Sequence, residues 1–346
     1  MNNYRTAIVF QGGGALGAYE YGVIKALYEE RRGFKPAAVT GVSIGAINAA
    51  LLVGAKANPL ETLESVWRNR FTQSLPSPAR TLSGPLLTQA IEETLSALGN
   101  AGMYQLSPDF LLAPLLSTSI YDLEPLRRTL RELVDVAKLN RPDETRVVIG
   151  AVDVATGKPR YFDSRTEPLG IEHVIASGSI PPAFPMTAIN GAFCWDGGLF
   201  QNTPLSSAIN CLEQLTGDIR REVIVVELFP RSGPRPKKMS EVANRFGQLI
   251  FASKLDIDRK LFATLNKTIA FIEKIDAYIP PDLRNEPAYR DIFQQHTKID
   301  ALTVITANFP ADKANAADFS AETIDYRIKA GREDAKNQSI GTPQPV

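Results

Sequence analysis

Residues 41–45 read GVSIG and place a hydroxyl between two glycines. A β-branched run, Ala38–Thr40, precedes this pentapeptide, and a run of small and apolar residues, Ala46–Leu52, follows it. The pattern predicts a strand, a sharp turn and a helix, which is the setting of a nucleophilic serine. Glycines on both sides relieve crowding in such a turn, and the N-terminus of the helix lies beneath the hydroxyl. Ser43 is therefore the candidate nucleophile.

A glycine-rich loop follows the first predicted strand, residues 6–10, and precedes a predicted helix over Tyr19–Arg31. It fits three interpretations: a dinucleotide-binding loop, a tight turn with only a packing role, or an oxyanion hole. In the last, the backbone N–H groups of Gly12, Gly13 and Gly14 stabilise the oxygen that becomes negative during attack. A dinucleotide site expects an acidic residue at the end of the next strand, and here that strand ends at Ser43. We therefore favour the oxyanion hole.

A candidate base lies in the segment CWDGGLFQNTP, residues 194–204. Asp196 is followed by two glycines, which allow a tight turn and the close approach of another segment. An aspartate in such a turn often only bonds nearby amides. We expect a base because Ser43 needs one, and neither His173 nor His296 lies in a comparable motif. We expect His173 to be a partly exposed, satisfied histidine near a helix start, and a Ser43–Asp196–His296 triad stays open as an alternative.

The elements that must position these residues alternate between strands and helices, which implies a mainly parallel sheet covered on both faces. We expect the catalytic core to close with a strand at 223–228. Further strands are predicted at 146–152, 160–163 and 302–306, and helices at 59–70, from Ser119 or Asp122 to about 138, at 171–179, at 205–215 with Thr203 as its cap, and at 321–335.

The 346 residues suit one large α/β domain with additions. We divide them into a catalytic domain, 1–229, and a mostly helical C-terminal extension, 230–346. Residues 71–117 are rich in proline and large apolar side chains, which fits a cap over an acyl-binding cleft or a helical insertion packed on the core. The basic stretch 231–267 favours a helix with a solvated basic face over one that rests on an anionic lipid surface.

The composition excludes several classes of protein. The formal net charge of zero disfavours a nucleic-acid partner. Two cysteines supply neither a disulfide framework nor a metal site, and we expect no cofactor. The N-terminus lacks the pattern of a Sec signal, and no window approaches 18 consecutive apolar residues. We therefore expect a cytoplasmic protein, with peripheral contact to a membrane surface as a further option.

Three motifs together resemble those of the patatin-like phospholipases: GGGALG at 12–17, GVSIG at 41–45 and DGG at 196–198. A further segment, ASGSIP at 176–181, is similar to another family segment, and the resemblance covers about residues 5–215. The rest of the chain, including Phe319–Ser320 and Thr323–Ala335, looks like the C-terminal extension found in a bacterial subset of the family. Many members carry Arg or Lys where this chain has Leu16, so the resemblance does not extend to that cation.

The resemblance implies a three-layer α/β/α fold, a Ser43–Asp196 dyad and calcium-independent hydrolysis of lipid acyl esters. We accordingly expect a phospholipase A or lysophospholipase type of reaction through an acyl-serine intermediate, with a lipid ester as substrate. A catalytically silent lipid-binding protein that keeps the fold is the alternative from another class. Leu16 and the basic stretch 231–267 motivate that alternative.

Overall fold

The computed structural model describes residues 4–73, 98–217, 219–229, 232–233, 235–252, 255–290 and 296–338. The strands in these ranges are β1 (Tyr4–Phe10), β2 (Ala38–Val42), β3 (Gly99–Asn100), β4 (Tyr104–Leu106), β5 (Tyr121–Asp122), β6 (Arg146–Asp153), β7 (Pro159–Asp163), β8 (Thr187–Ile189), β9 (Ala192–Asp196), β10 (Arg220–Glu227) and β11 (Ala301–Thr306).

The main α-helices in the same ranges are α1 (Gly17–Glu30), α2 (Ile44–Gly54), α3 (Pro59–Ser65), α4 (Pro108–Leu112), α5 (Glu124–Leu133), α6 (Val136–Leu139), α7 (Ile171–Ser177), α8 (Leu205–Glu213), α9 (Met239–Ala252), α10 (Leu255–Ile275), α11 (Pro281–Arg284) and α12 (Ala321–Asn337).

One sheet organises the molecule, with the strand order β11-β10-β1-β2-β6-β9-β8 and with β7 paired to β6 off this path. The first five strands in that order are mutually parallel. Strands β7, β8 and β9 are antiparallel to their neighbours. The short strands β3, β4 and β5 form a separate antiparallel sheet.

Apolar side chains pack on both faces of the main sheet. Ile8 and Phe10 of β1 join a core with helices α1, α2 and α12. Ala7 and Val9 of the same strand join a second core with α8 and α10. Successive side chains of a strand point to opposite faces, so these two cores lie on opposite sides of the sheet. The fold is therefore a three-layer α/β/α arrangement with a mainly parallel sheet, which confirms the predicted fold class.

Three local predictions differ from the structure. The helix from Pro59 continues beyond α3 as a π-helical turn at Val66–Arg70. Helix α5 ends before the predicted residue 138, since the backbone N–H of Asp135 donates to the Gly54 carbonyl at 2.7 Å and the chain resumes as α6. Thr203 does not cap α8: its hydroxyl accepts a hydrogen bond from Gln11 Nε2 at 2.8 Å, and Pro204 precedes the helix.

The C-terminal part of the chain is built into the same layers. Strand β11 pairs in parallel with β10 and lies beyond it at the end of the strand order. Helix α12 crosses α1 at close range: a Cβ on Gly22 would lie 2.2 Å from the Ile328 carbonyl oxygen, and one on Gly331 would lie 2.1 Å from that of Tyr19. Only glycine permits this approach. The division at residue 230 stays a prediction about domain organisation.

Candidate active site

Strand β6 brings Ser43 and Asp196 together. Val42, the last residue of β2, lies opposite Gly150, and Asp196, the last residue of β9, lies opposite Ala151. Strand β7 pairs with the other edge of β6 at these positions. Strand β9 therefore pairs with the same edge of β6 as β2 does, starting where the pairing with β2 ends. The turn that holds Ser43 therefore begins next to the end of β9 that holds Asp196, although 153 positions separate the two residues in the chain.

Ser43 lies in the sharp turn that its flanking glycines predict. Its backbone has φ 56° and ψ −123°, a left-handed conformation that costs a non-glycine residue on the order of 1–3 kcal/mol. A Cβ on Gly41 would lie 2.4 Å from the Gly45 carbonyl oxygen, and one on Gly45 would lie 2.6 Å from that of Phe10. The surrounding packing thus requires both glycines and holds the serine in its strained conformation.

Ser177, on helix α7, fixes this turn from below. The backbone N–H of Ser43 donates to Ser177 Oγ at 2.9 Å, and the Ser177 hydroxyl donates to the Gly150 carbonyl at 2.6 Å. Ser177 is fully buried. The residue lies in the segment 176–181 that resembles a family motif, but its partners are 134 and 27 positions away and the sequence alone did not reveal them.

Asp196 is buried against the nucleophile. Its Oδ1 accepts the backbone N–H of Gly198 at 2.8 Å, and its carboxylate is in hydrogen-bond contact with the Ser43 side chain. Burial raises the pKa of Asp196 to about 7, although these two hydrogen bonds act in the opposite direction. A carboxylate with this pKa is a stronger base than an exposed aspartate.

The glycine loop meets Asn202 on one side. The Gly12 N–H donates to the Asn202 carbonyl at 3.2 Å, and Asn202 Nδ2 donates to the Gly12 carbonyl at 2.9 Å. The amide of Gly12 is therefore engaged within the protein. In the other backbone hydrogen bonds of the loop, the donors are the N–H groups of Ala15 and Leu16. The N–H groups of Gly13 and Gly14 are not donors in these bonds.

The segment before α12 meets the same loop on its other side. The Ala15 N–H donates to the Ala316 carbonyl at 2.8 Å, and a Cβ on Gly14, whose φ is 54°, would lie 2.5 Å from that oxygen. Arg327 holds this segment in turn: its guanidinium donates to the carbonyls of Lys313, Asn315 and Asp318 at 2.8–3.2 Å. The sequence of the glycine loop did not predict its contact with residues 313–318.

Leu16 is buried in the core with helix α1. Its position therefore supplies no cation to the loop. Gln11, at the start of the loop, is also buried and joins neighbouring strand ends. Its Oε1 accepts the N–H groups of Leu228 and Phe229 at 2.6 and 3.1 Å, just after β10. The loop is thus held by side-chain bonds that reach across the sheet.

A cleft of about 560 Å³ opens above Ser43 and Asp196. Most of its surface is apolar, and Asp196 is the only residue with a formal charge among the described residues that line it. The lining comprises Gly12, Gly13, Gly14, Ser43, Ile44, Ile47, Met103, Tyr104, Tyr121, Leu123, Leu126, Gly178, Ile180, Ala183, Phe184, Asp196, Asn202, Phe229, Phe251, Asn315, Ala316, Ala317 and Phe319.

The predicted cap region, 71–117, contributes to this cleft in part. Residues 74–97 lie outside the described residues. Within the described remainder, Met103 and Tyr104 line the cleft. Phe251 of α9 lines it as well, so the basic stretch 231–267 borders the site through its first helix.

Neither histidine lines the cleft. His296 Nδ1 lies 3.1 Å from Glu213 Oε1, in a second cavity of about 310 Å³ between α8 and α10. The geometry therefore gives no support to a triad with His296. His173 Nδ1 accepts the backbone N–H of Gly170 at 2.8 Å near the start of α7. Its Nε2 is buried and has no hydrogen-bond partner among the described residues, so the predicted satisfied histidine is satisfied at one ring nitrogen only.

None of the helices in the described part of the chain combines the length and the apolar composition that crossing a bilayer requires.

Two solved structures resemble the chain at low similarity. VipD from Legionella pneumophila is 15% identical with a TM-score of 0.43, and the match covers 99% of this chain and 68% of that one. A chain of the complex of full-length SpcU with full-length ExoU, from the type III secretion system of Pseudomonas aeruginosa, is also 15% identical. Its TM-score is 0.37, and the match covers 97% of this chain and 53% of that one.

Sequence comparison with curated proteins gives no match. The family model described as Patatin-like phospholipase, in contrast, matches residues 8–209. This range covers more than half of the chain and contains the glycine loop, the serine turn and the aspartate turn described above. The chain belongs to the patatin-like phospholipase family, which supports a lipid hydrolase function.

Proposed function

We propose that the chain hydrolyses carboxylic esters of lipids through an acyl-serine, with Ser43 as nucleophile and Asp196 as its base. One observation carries this proposal: the Ser43 side chain is in hydrogen-bond contact with a buried carboxylate whose pKa is raised to about 7, at an apolar cleft. A base with a pKa close to neutral is half ionised at neutral pH and still has driving force for proton transfer.

In the first step the Ser43 hydroxyl attacks the ester carbonyl and transfers its proton to Asp196. The tetrahedral intermediate then collapses, the bond to the alcohol breaks, and protonated Asp196 returns the proton to the leaving oxygen. In the second step Asp196 takes a proton from water, whose oxygen attacks the acyl-serine. When this second intermediate collapses, the bond between the acyl carbon and Ser43 Oγ breaks and protonated Asp196 gives its proton to Oγ. The fatty acid is released, and the Ser43 hydroxyl and the Asp196 carboxylate are restored.

The oxyanion of each intermediate needs donors that are not already engaged. Of the three glycines that the sequence singles out, we propose Gly13 and Gly14 as donors. Gly12 is excluded from this role because its N–H donates to the Asn202 carbonyl. We assign Gly12 instead to close packing: a Cβ there would lie 2.4 Å from Asn202 Oδ1 and 3.0 Å from the Ser43 Cβ.

The cleft favours the acyl chain of the substrate over its head group. Its lining is mostly apolar and holds one formal charge, that of Asp196, among the described residues. An ionised phosphate inside this space would lose its hydration and would find no cationic partner among the described residues that line it. We therefore propose that the acyl chain enters the cleft and that the alcohol or head group stays at its mouth.

The first test is release of p-nitrophenol from short and medium acyl esters, with EDTA present. We expect Ser43→Ala and Asp196→Asn to lose on the order of 1,000-fold or more in kcat/KM. His296→Ala is the matched control, since its side chain bonds Glu213 outside the cleft, and it should keep full activity. Ser43→Ala with wild-type turnover would refute the proposal.

A second test addresses the covalent intermediate. A fluorophosphonate probe should add its mass to the wild-type protein at Ser43 Oγ, with loss of fluoride, and Ser43→Ala should remain unlabelled. Absence of both labelling and turnover in the wild type, combined with lipid binding by the same protein, would support the silent lipid-binding alternative instead.

A further inference from the structure

An exposed apolar segment lies at the end of the excursion between β4 and β5. It carries four leucines within six residues, residues 111–116, which we call the leucine tip. Leu111, Leu112, Leu115 and Leu116 are 63%, 85%, 99% and 85% exposed. Large apolar side chains grouped in this way on a surface mark a site that another apolar body covers.

The leucine tip has a defined backbone and a fixed base. Inside it, the N–H of Leu111 donates to the Ser107 carbonyl at 3.0 Å and that of Ser117 donates to the Ala113 carbonyl at 3.1 Å. The N–H of Ser107 donates to the Ile120 carbonyl at 3.0 Å and closes the base. The excursion is therefore a turn held by its own hydrogen bonds, with its leucines directed outward.

The base of the excursion is also a wall of the cleft. The N–H of Tyr121 donates to the Ala183 carbonyl at 2.9 Å, and both residues line the cleft. The rings of Tyr104, Tyr121 and Phe184 contact one another with centroids 5.0–5.9 Å apart. The leucine tip therefore projects from a segment whose base forms part of the wall of the space that we assign to the acyl chain.

We infer that the leucine tip inserts into the surface of a lipid bilayer and holds the cleft against it. This inference rests on the proposed function, in which the acyl chain of a lipid ester enters the cleft. With the enzyme docked on the bilayer, the ester can pass into the cleft with little exposure to water. The chemistry of the segment indicates the occupant: Asp109 is the only charged residue between positions 107 and 121, so the segment itself carries no cation. The tip therefore suits uncharged or zwitterionic lipid, and apolar burial rather than ion pairing drives the contact.

The basic stretch 231–267 offers a rival mode of docking with a different signature. Attraction of its cations to anionic lipid would weaken as salt rises, since ions screen exposed charges. Insertion of leucines would persist at high salt and would not require anionic lipid. Salt dependence on vesicles of pure phosphatidylcholine therefore separates the two.

The experiment is flotation of Ser43→Ala protein with phosphatidylcholine vesicles at low and high salt, so that hydrolysis does not alter the lipid. We expect binding at both salt concentrations, and a loss on the order of tenfold or more for each of Leu112→Glu and Leu115→Glu introduced into this protein. Leu283→Glu, which changes a 51% exposed leucine on α11, is the matched control and should bind as the parent does.

Two outcomes would overturn the inference. One is equal vesicle binding by the tip variants and the parent. The other is unchanged vesicle binding with a shift from dimer to monomer by light scattering, which would assign the tip to a contact between copies of the chain. Turnover of p-nitrophenyl acetate by the same substitutions with Ser43 intact tests the proposed function separately. We expect the tip variants to retain this turnover. If the wild type itself does not turn over the ester, the proposed ester hydrolysis is refuted, and vesicle binding alone then tests the role of the leucine tip.

Discussion

The backbone N–H of Ser43 donates to the hydroxyl oxygen of Ser177 at 2.9 Å, and this bond ties the strained turn of the nucleophile to helix α7. The same hydroxyl donates to the Gly150 carbonyl on β6. One small side chain thus accepts from the backbone of the sharp turn and donates to the backbone of the neighbouring strand β6. We interpret Ser177 as a positioning residue, because it acts on the nucleophile through the backbone.

We predict that Ser177→Ala lowers both stability and turnover. Two buried polar groups lose their partner, which costs about 1–3 kcal/mol each. Misplacement of the nucleophile should lower kcat on the order of 10- to 100-fold, with a smaller effect on KM. Ester hydrolysis and thermal unfolding measure the two effects. Ser179→Ala, which removes a buried hydroxyl bonded to the Ile175 carbonyl, is the control and should lower stability with little change in kcat.

A second prediction concerns Asn202, whose amide holds the Gly12 carbonyl. Asn202→Ala removes this bond and lets the glycine loop move relative to Ser43. We expect kcat to fall on the order of 100-fold, since an error of about 1 Å in a catalytic group has that effect. Gln201→Ala is the neighbouring control, because Gln201 Nε2 bonds Asp258 outside the cleft. Equal kinetics for the two variants would contradict the positioning role of Asn202.

A third prediction is the pH dependence of turnover. Burial raises the pKa of Asp196 to about 7, and only the ionised carboxylate accepts the proton of Ser43. The rate should therefore rise with pH through about 7 and level off above it. The pH profile of kcat/KM on a neutral ester reports this ionisation for the free enzyme. An acid limb centred near pH 4, the region of an ordinary aspartate, would contradict the assignment.

The same group makes a prediction about stability. A folded-state pKa of about 7 lies above the unfolded value near 3.8, so the neutral acid favours folding. This contribution is complete below the unfolded pKa and is lost as pH rises through about 7, by up to about 4 kcal/mol. Asp196→Asn should therefore unfold at a higher temperature than the wild type at pH 8, and the difference should shrink at pH 5.

Ser43→Ala is the control for that experiment. It is expected to be as inactive as Asp196→Asn, but it keeps the buried acid and should still lose stability as pH rises. The hydrogen bond from Ser43 lowers the pKa of Asp196, so its removal in Ser43→Ala should raise that pKa. The decrease in stability should therefore begin at a higher pH than in the wild type. Identical unfolding curves for Asp196→Asn and the wild type at every pH would show that the carboxylate carries no such penalty.

The sequence predicted the parts of the site that carry their chemistry in short motifs. Glycines around Ser43 and after Asp196 indicate tight turns, and a short pattern can express a turn without any knowledge of the segments that pack against it. Ser177, Asn202 and Arg327 could not be found in this way. Their roles depend on partners across the sheet, and a single serine, asparagine or arginine has many other uses.

Secondary structure was likewise predicted well where local pattern determines it and poorly where distant partners do. Strands β1, β2, β6 and β10 and helix α1 were predicted close to their observed bounds, since buried strands and an amphipathic helix have distinct periods. The Thr203 cap was wrong because Gln11, 192 positions away, takes its hydroxyl. The place of β11 beyond β10 was also missed, because hydrophobic periodicity identifies a strand but not its neighbours.

The last prediction links the C-terminal helix to catalysis through Arg327. This guanidinium is buried, and burial lowers its pKa to about 10, so it stays charged at neutral pH. It holds three carbonyls of residues 313–318, and within that segment the Ala316 carbonyl contacts the loop that contains Gly14. Arg327→Ala should therefore move both the cleft wall and the proposed oxyanion donors.

We expect Arg327→Ala to lower the unfolding temperature and to lower kcat on a short soluble ester by about 10-fold or more, measured well below that temperature on folded protein. Arg327→Lys keeps a positive charge but offers a single ammonium group in place of the guanidinium that bonds three carbonyls. It should therefore recover part of the unfolding temperature and part of kcat. Arg332→Ala, which removes an exposed ion pair with Glu29, should change neither, since such pairs contribute little. A lower unfolding temperature with wild-type kcat in Arg327→Ala would limit Arg327 to a structural role, because a displaced oxyanion loop must slow the chemical step.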